Sequence, residues 1–226
     1  MMNIFWDLLP MILGTALAPI WIIIVLLILR SPNGLIKATA FVVGTTVVRL
    51  LQGIIFGHIF RNSEVGGTDG GPSPIVSVLL VVLGILLLIS AVKKLLKEDD
   101  LDAPPPKWMS RFDRATALSL LGLGALSTLI APKLWVFTLS AIGVISGADF
   151  SPSEEFQSFL LYTLIAQALI ILPLVLYAIA PRQSARLLQA ASDWLTQYNR
   201  QITLTVSFIF GSLFLWKGIS GLLLYS

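Results

Sequence analysis

Apolar residues occupy this chain in six long blocks, at about Ile4 to Leu29, Leu35 to Phe60, Pro74 to Leu96, Thr116 to Ile145, Phe156 to Ala180 and Ile202 to Tyr225. A helix needs about 20 such residues to cross a hydrocarbon core roughly 30 Å thick, so each block predicts one transmembrane helix. Turn-forming residues fill the gaps: Arg30-Ser31-Pro32-Asn33-Gly34, Gly66 to Ser73, and Ala103-Pro104-Pro105-Pro106. Gly147 to Glu155 and Pro181 to Arg200 complete the set. The first block does not read as a cleaved signal. Ala16-Leu17-Ala18 mimics a cleavage site, but no Lys or Arg precedes it and the apolar stretch runs on to Leu29.

The basic residues give the expected orientation. Arg30, Lys37, Lys93, Lys94, Lys97, Lys107, Arg111, Arg114, Arg182, Arg186 and Arg200 lie in or beside the first, third and fifth loops, and the other side holds only Arg61. The positive-inside rule then puts these loops in the cytoplasm and both termini outside. Between Arg182 and Arg200, apolar Leu187, Leu188, Ala191, Trp194, Leu195 and Tyr198 recur at helical spacing. That predicts an amphipathic helix lying in the interface. Trp108, Met109 and Phe112, interleaved with Lys107, Arg111 and Arg114, read as a shorter version, and both are expected to anchor to anionic headgroups.

Composition excludes a water-soluble fold. The chain is 56% hydrophobic and 12% charged, with mean hydropathy +0.90; globular domains are about 45–50% apolar and about 25% charged. A soluble enzyme, a secreted disulfide scaffold and a nucleic-acid binder are set aside on that ground. The net charge of +3 carries less meaning than where the charges fall. There is no cysteine, hence no thiol redox chemistry and no thiolate metal site.

The two halves resemble each other. Thr15 leads to Ala18-Pro19 and Trp21, and Thr128 leads at the same spacing to Ala131-Pro132, Lys133 and Trp135. Gly84-Ile85-Leu86-Leu87-Leu88 in the third block is matched by Gly211-Ser212-Leu213-Phe214-Leu215 in the sixth. A three-helix unit re-enters the membrane from the opposite side, so a repeat of this kind is inverted, as in many secondary transporters. The expected organisation is a first repeat over residues 1–96, a cytoplasmic linker over 97–115 and a second repeat over 116–226. Pro19 and Pro132 each remove a backbone donor, and the fourth block would be roughly 45 Å long as a straight helix, so breaks are expected in helices 1 and 4. Freed backbone groups at membrane depth require protein or water to satisfy them, which points to a cavity. Pro173 has no counterpart in the second block and is read as an ordinary kink.

Few ionisable groups fall inside the blocks. Arg49 is near the middle of the second, sharing a face with Thr45 and Gln52. Lys133 follows Pro132, Asp7 and Lys217 lie nearer the ends, and Thr163 and Gln167 share a face of the fifth. A charge at the bilayer centre costs about 2.5 kcal/mol or more and marks a function or a structural pairing. Asp7 and Lys217 either snorkel to the interface or face the cavity. Thr163–Gln167 is expected to bond between helices, and Gly14-x-x-x-Ala18 and Ser207-x-x-x-Gly211 are packing faces. Central cations without central carboxylates disfavour a metal-ion path and suit a carboxylate, sulfate or phosphate. Lys133 is alternatively a proton-coupling group. The lone histidine, His58, and the absence of HExxH and GxSxG leave no basis for an enzyme.

Pro132-Lys133-Leu134-Trp135-Val136-Phe137 and Phe210-Gly211-Ser212-Leu213-Phe214-Leu215-Trp216-Lys217-Gly218, with six blocks and a proline in the first, resemble the LysE exporter superfamily. Members carry Asn-Pro-Lys in the fourth helix; here Ala131 replaces the Asn. Leu8-Leu9-Pro10 to Gly14-Thr15-Ala16-Leu17-Ala18-Pro19, then Ile22 to Leu29 and Ser31-Pro32, is closer to the glycolipid- or sulfolipid-addressing branch, GAP. The resemblance implies an inner-membrane exporter of amphipathic lipids or their precursors, with Pro19, Pro132 and Lys133 lining the central site.

The expectation is therefore an all-α, six-helix inverted-repeat exporter of a small or amphipathic substrate bearing an anionic group. Arg49 and Lys133 would bind that group, Pro19 and Pro132 open the helices, and Thr45, Gln52 and Gln167 line the path. Energy would come from an ion gradient, most plausibly protons, without cofactor or metal. The partners are the bilayer and the substrate, with a homodimer left open and no nucleic acid. The alternative is a non-transporting scaffold for a larger membrane complex, docking through Arg182–Arg200.

Overall fold

The computed structural model describes residues 2–62, 74–96, 111–148 and 150–223, and among them there is no strand. Ten helices follow one another: α1 Met2–Ala16, α2 Pro19–Arg30, α3 Gly34–Asn62, α4 Pro74–Leu96, α5 Arg111–Arg114, α6 Ala117–Ile130, α7 Pro132–Ser146, α8 Pro152–Ala166, α9 Ala168–Ile179 and α10 Pro181–Leu223. Three of these, α3, α4 and α10, are long and apolar enough to cross a membrane alone. The pairs α1–α2, α6–α7 and α8–α9 reach that length only jointly, with bends of 52°, 72° and 65°.

Small residues decide how closely the helices approach. On α4, a Cβ at Gly84 would lie 2.7 Å from the Leu215 nitrogen and 2.8 Å from the Gly211 carbonyl of α10. Gly218 meets the Ser77 carbonyl of α4 at 2.7 Å in the same sense, and the Arg200 guanidinium donates to the Leu95 carbonyl at 3.1 Å. Those pairings run α4 and α10 antiparallel. The two glycines matched in sequence, Gly84 and Gly211, thus face each other. Gly44 of α3 and Gly124 of α6 play the same part, each abutting backbone of the other helix. In membranes, where lipid removes most of the hydrophobic drive, such backbone approach is what holds helices together.

The remaining packing is reciprocal. The second helix of each half lies on the first segment of the other, α3 on α6 and α8 on α1. The third helix lies on the other half's second segment, α4 on α7 and α10 on α2. Two apolar clusters result. One gathers Leu8, Met11, Leu83, Phe137, Ile142, Phe159 and Phe214; the other gathers Val25, Leu29, Phe41, Phe112, Leu120, Leu174 and Leu188. Outside them, Val43, Val47, Leu51, Val82, Ile85, Ile89, Phe208 and Trp216 are exposed. A belt of that kind, on many helices at once, is stable against acyl chains rather than water. This is an integral membrane protein.

The loops follow local chemistry. Asn33 takes φ 56°, and a Cβ at Gly34 would strike the Leu29 carbonyl, so the α2–α3 turn needs these two residues. Thr116 caps α6 by accepting from the Ser119 nitrogen at 3.1 Å, and Ser151 with Glu154 forms a capping box on α8.

Two expectations need correction, and one bend was not expected. The fifth block is sharply bent at Gln167, while α9 runs through Pro173. Pro181–Arg200 is no separate surface helix, because α10 is continuous to Leu223. Its inner side is held by protein: Leu188 is buried in the second cluster, and Arg30 of α2 donates to the Gln189 carbonyl at 3.2 Å and pairs with Asp193 at 3.7 Å. Phe112, expected among headgroups, is buried, while the Phe112 carbonyl accepts from Lys37 at 3.1 Å; Lys107, Trp108 and Met109 lie outside the described residues.

Candidate functional site

A residue preceding proline is driven out of the helical region by clash with the proline ring. Ala18 and Ala131 obey, at φ −90°, ψ 93° and φ −88°, ψ 99°. Pro19 and Pro132 then occupy the first position of α2 and α7, where a missing N–H costs nothing. The prolines therefore start the second segments instead of kinking a continuous helix. The two breaks share one backbone geometry to within a few degrees.

Residues flanking all three breaks surround one small cavity. Thr15, Ala16 and Trp21 come from the first, Thr128 and Leu134 from the second, and Ala166, Gln167 and Ile170 from the third; Thr45 and Arg49 of α3 complete it. Its volume is about 10 Å³, about the room one water needs. Each break brings a helix N-terminus, with its partial positive charge, beside a C-terminus with the opposite sign. Arg49 adds a full positive charge, and among the described residues no carboxylate lines the cavity.

Arg49 is the anomaly. It is 5% exposed, and its Nε and Nη1 have no hydrogen-bond partner among the described residues. One turn further, both side-chain polar atoms of buried Gln52 are also without a partner. Such orphaned groups are costly in a low-dielectric interior and call for an explanation. The surrounding polar groups, by contrast, are engaged. Thr45 and Thr46 both donate to the Gln167 Oε1, at 3.1 and 3.0 Å, tying α3 to the third break. The Tyr162 hydroxyl lies 3.4 Å from that of Thr15, joining α8 to α1 beside Arg49.

A family model described as "Sap, sulfolipid-1-addressing protein" matches residues 8–220. The chain belongs to this family. Nothing matches among curated proteins or among solved structures. In this sulfolipid-addressing family member the matched span takes in all three breaks, Arg49 and Lys217, and begins just after Asp7.

The structure of this family member gathers Thr45, Arg49 and Gln167 at one cavity. Gln52 is buried beside that group without lining it, and Pro19 is buried at the start of α2. Pro132 and Lys133 open α7; their side chains lie outside the described residues. Thr163, expected to bond across helices, is fully buried, and its hydroxyl has no partner there. Asp7 and Lys217 do not line the cavity: they pair with each other at 3.7 Å on the exposed surface.

Thr15, Thr128, Trp21 and Tyr162 were not expected at the site. The first two were visible as marks of the repeat, each four residues before its proline; Tyr162 gave only the signal of a phenol in an apolar block. Helix starts add a further correspondence. Thr45 and Arg49 stand eleven and fifteen residues after Gly34, and Thr163 and Gln167 stand eleven and fifteen after Pro152. Arg49 and the Gln167 hinge thus occupy matching places in the two halves. Two larger spaces flank the centre. One of about 290 Å³ includes Gly57, His58, Glu155 and Phe159. The other, of about 480 Å³, is apolar and lies between α2 and α6.

Proposed function

We propose that this protein is a gradient-driven membrane exporter whose substrate is an amphipathic molecule bearing an anionic group, a sulfated lipid or its precursor being the natural candidate given the family. One observation carries the reading: a permanently charged guanidinium, buried mid-helix with no counter-ion among the described residues, beside a cavity where three helices are interrupted. A buried cation without a partner is expensive, and an incoming sulfate, phosphate or carboxylate would supply the missing bonds.

The reciprocal packing, the antiparallel α4–α10 pair and the matching breaks favour two inverted three-helix repeats, α1–α4 and α6–α10. That is the architecture of alternating access around a central site. The likeness to LysE exporters points the same way, as does the run of basic residues that would hold the Arg30, Lys37 and Arg200 end in the cytoplasm. Protons are the coupling ion we favour. The scaffold alternative loses ground because the inner side of Pro181–Arg200 is occupied by α2 of the same chain.

The test is lipid export in cells with and without the chain, and with Arg49→Met expressed to the same level. Extracellular anionic lipid should fall to the level of cells lacking the protein. Unchanged export by Arg49→Met, or loss only on deleting residues 181–200, would refute the reading.

A further inference from the structure

The packing between the halves is not reciprocal everywhere. α1 packs on α7, whereas the corresponding pair, α6 and α2, makes no contact. Positions counted from each proline show what differs. Gly14, five residues before Pro19, is pressed by the ring of Phe137, five residues after Pro132. Their counterparts are Ser127, five before Pro132, and Ile24, five after Pro19. Those two residues stand on opposite walls of the 480 Å³ groove. A contact sealed on one side of the centre is open on the other.

The groove is apolar in effect as well as in composition. Ile20, Ile24, Phe41 and Leu123 line it. Its two serines are already satisfied, Ser127 by the Gly124 carbonyl at 3.0 Å and Ser119 by the Thr116 hydroxyl at 2.9 Å. Among the described residues nothing there would fix a polar headgroup. Its volume lies within the range of ligand pockets, about 300–1,000 Å³. The groove also borders the central cavity. Phe41 on the groove side and Trp21 on the cavity side have ring centroids 5.9 Å apart, and Ser127 adjoins Thr128. An apolar slot and a cationic pocket, divided by one pair of rings, match the two ends of a single amphiphile.

We infer that the α2–α6 groove is the seat of one acyl chain of the substrate, open sideways to the membrane, with the anionic head at Arg49. The inference rests on the exporter reading above. The occupant is an aliphatic chain rather than another protein segment, because charge complementarity at the adjoining cavity selects an anionic amphiphile.

The full-length protein in phosphatidylcholine nanodiscs, carrying a photoreactive benzophenone amino acid at Ser119, tests this, with the same group at lipid-facing Ile85 as control. The probes are dodecyl sulfate, at amounts far below the lipid, and dodecanol. Capture at Ser119 should favour the sulfate over the alcohol at least fivefold, and capture at Ile85 should show no preference. Leu123→Trp, which fills the slot, should abolish that preference; Leu123→Met, as a folding control, should keep it. Equal ratios at the two positions would overturn the inference, as would cross-linking of Ser119 to residues 97–110 or to a second copy. If the preference survives in Arg49→Met, the groove stands and the assignment of the head to Arg49 fails.

Discussion

Replacing Arg49 by Met should make the protein more stable and less functional. The Arg49 side chain is 5% exposed, and among the described residues two of its nitrogens lack partners and no carboxylate lines the cavity. Holding such a charge at membrane depth costs about 2.5–3.5 kcal/mol on insertion scales. Well-packed apolar replacements of buried ions stabilise by about 1–4 kcal/mol. Met is unbranched and flexible enough to fill an irregular space, so a gain of about 1–3 kcal/mol is expected. The assay is reversible unfolding in mixed micelles, with and without an anionic amphiphile. At 100 times Kd the ligand should stabilise the wild type by about 2.7 kcal/mol and the variant by nothing. The reasoning fails if Arg49→Met destabilises the protein by more than about 1 kcal/mol. That result would mean that the guanidinium is a structural tie, with its place in the cavity incidental.

Gly84→Val should separate α4 from α10, since the new side chain meets backbone at 2.7–2.8 Å; a loss of about 1–3 kcal/mol or more is expected in the same unfolding assay. Asp7→Asn should cost under about 1 kcal/mol, because the Asp7–Lys217 pair is exposed on both sides; a larger loss would mark the pair as a structural clamp. Asn33→Ala should destabilise by about 1 kcal/mol, as φ 56° penalises a side chain that cannot bond locally, and Asn33→Gly should be near neutral. Gln167→Leu removes the acceptor that Thr45 and Thr46 share but leaves both hydroxyls the Val42 carbonyl, at 2.8 and 2.7 Å, so the loss by thermal unfolding should be only about 0.5–1.5 kcal/mol.

Much of this arrangement could be read from residue order. Block lengths placed the spans, and the Ala-Pro dipeptides placed two breaks, because a proline constrains the residue before it wherever it stands. The third break escaped. Pro173 attracted attention, yet α9 passes through it, and the bend falls at Gln167, whose side chain is held by two threonines from α3. An interhelical bond at Gln167 was expected, but its partners, and the bend that goes with it, depend on a helix distant in sequence. Pro181–Arg200 misled in a similar way. Its amphipathic spacing is real, but one side of it meets α2 rather than headgroups.

Chain order alone therefore determined the apolar blocks, the proline breaks and the presence of Arg49 inside an apolar helix, since each follows from covalent geometry or from transfer of residues out of water. Tertiary structure decided which polar groups share a cavity, that Asp7 and Lys217 neutralise each other, and that α1 seals on α7 while α2 stands off α6. Those outcomes depend on which helix faces which, and apolar surfaces alike to lipid carry no record of that choice until small residues such as Gly14, Gly84 and Gly124 let one backbone close on another.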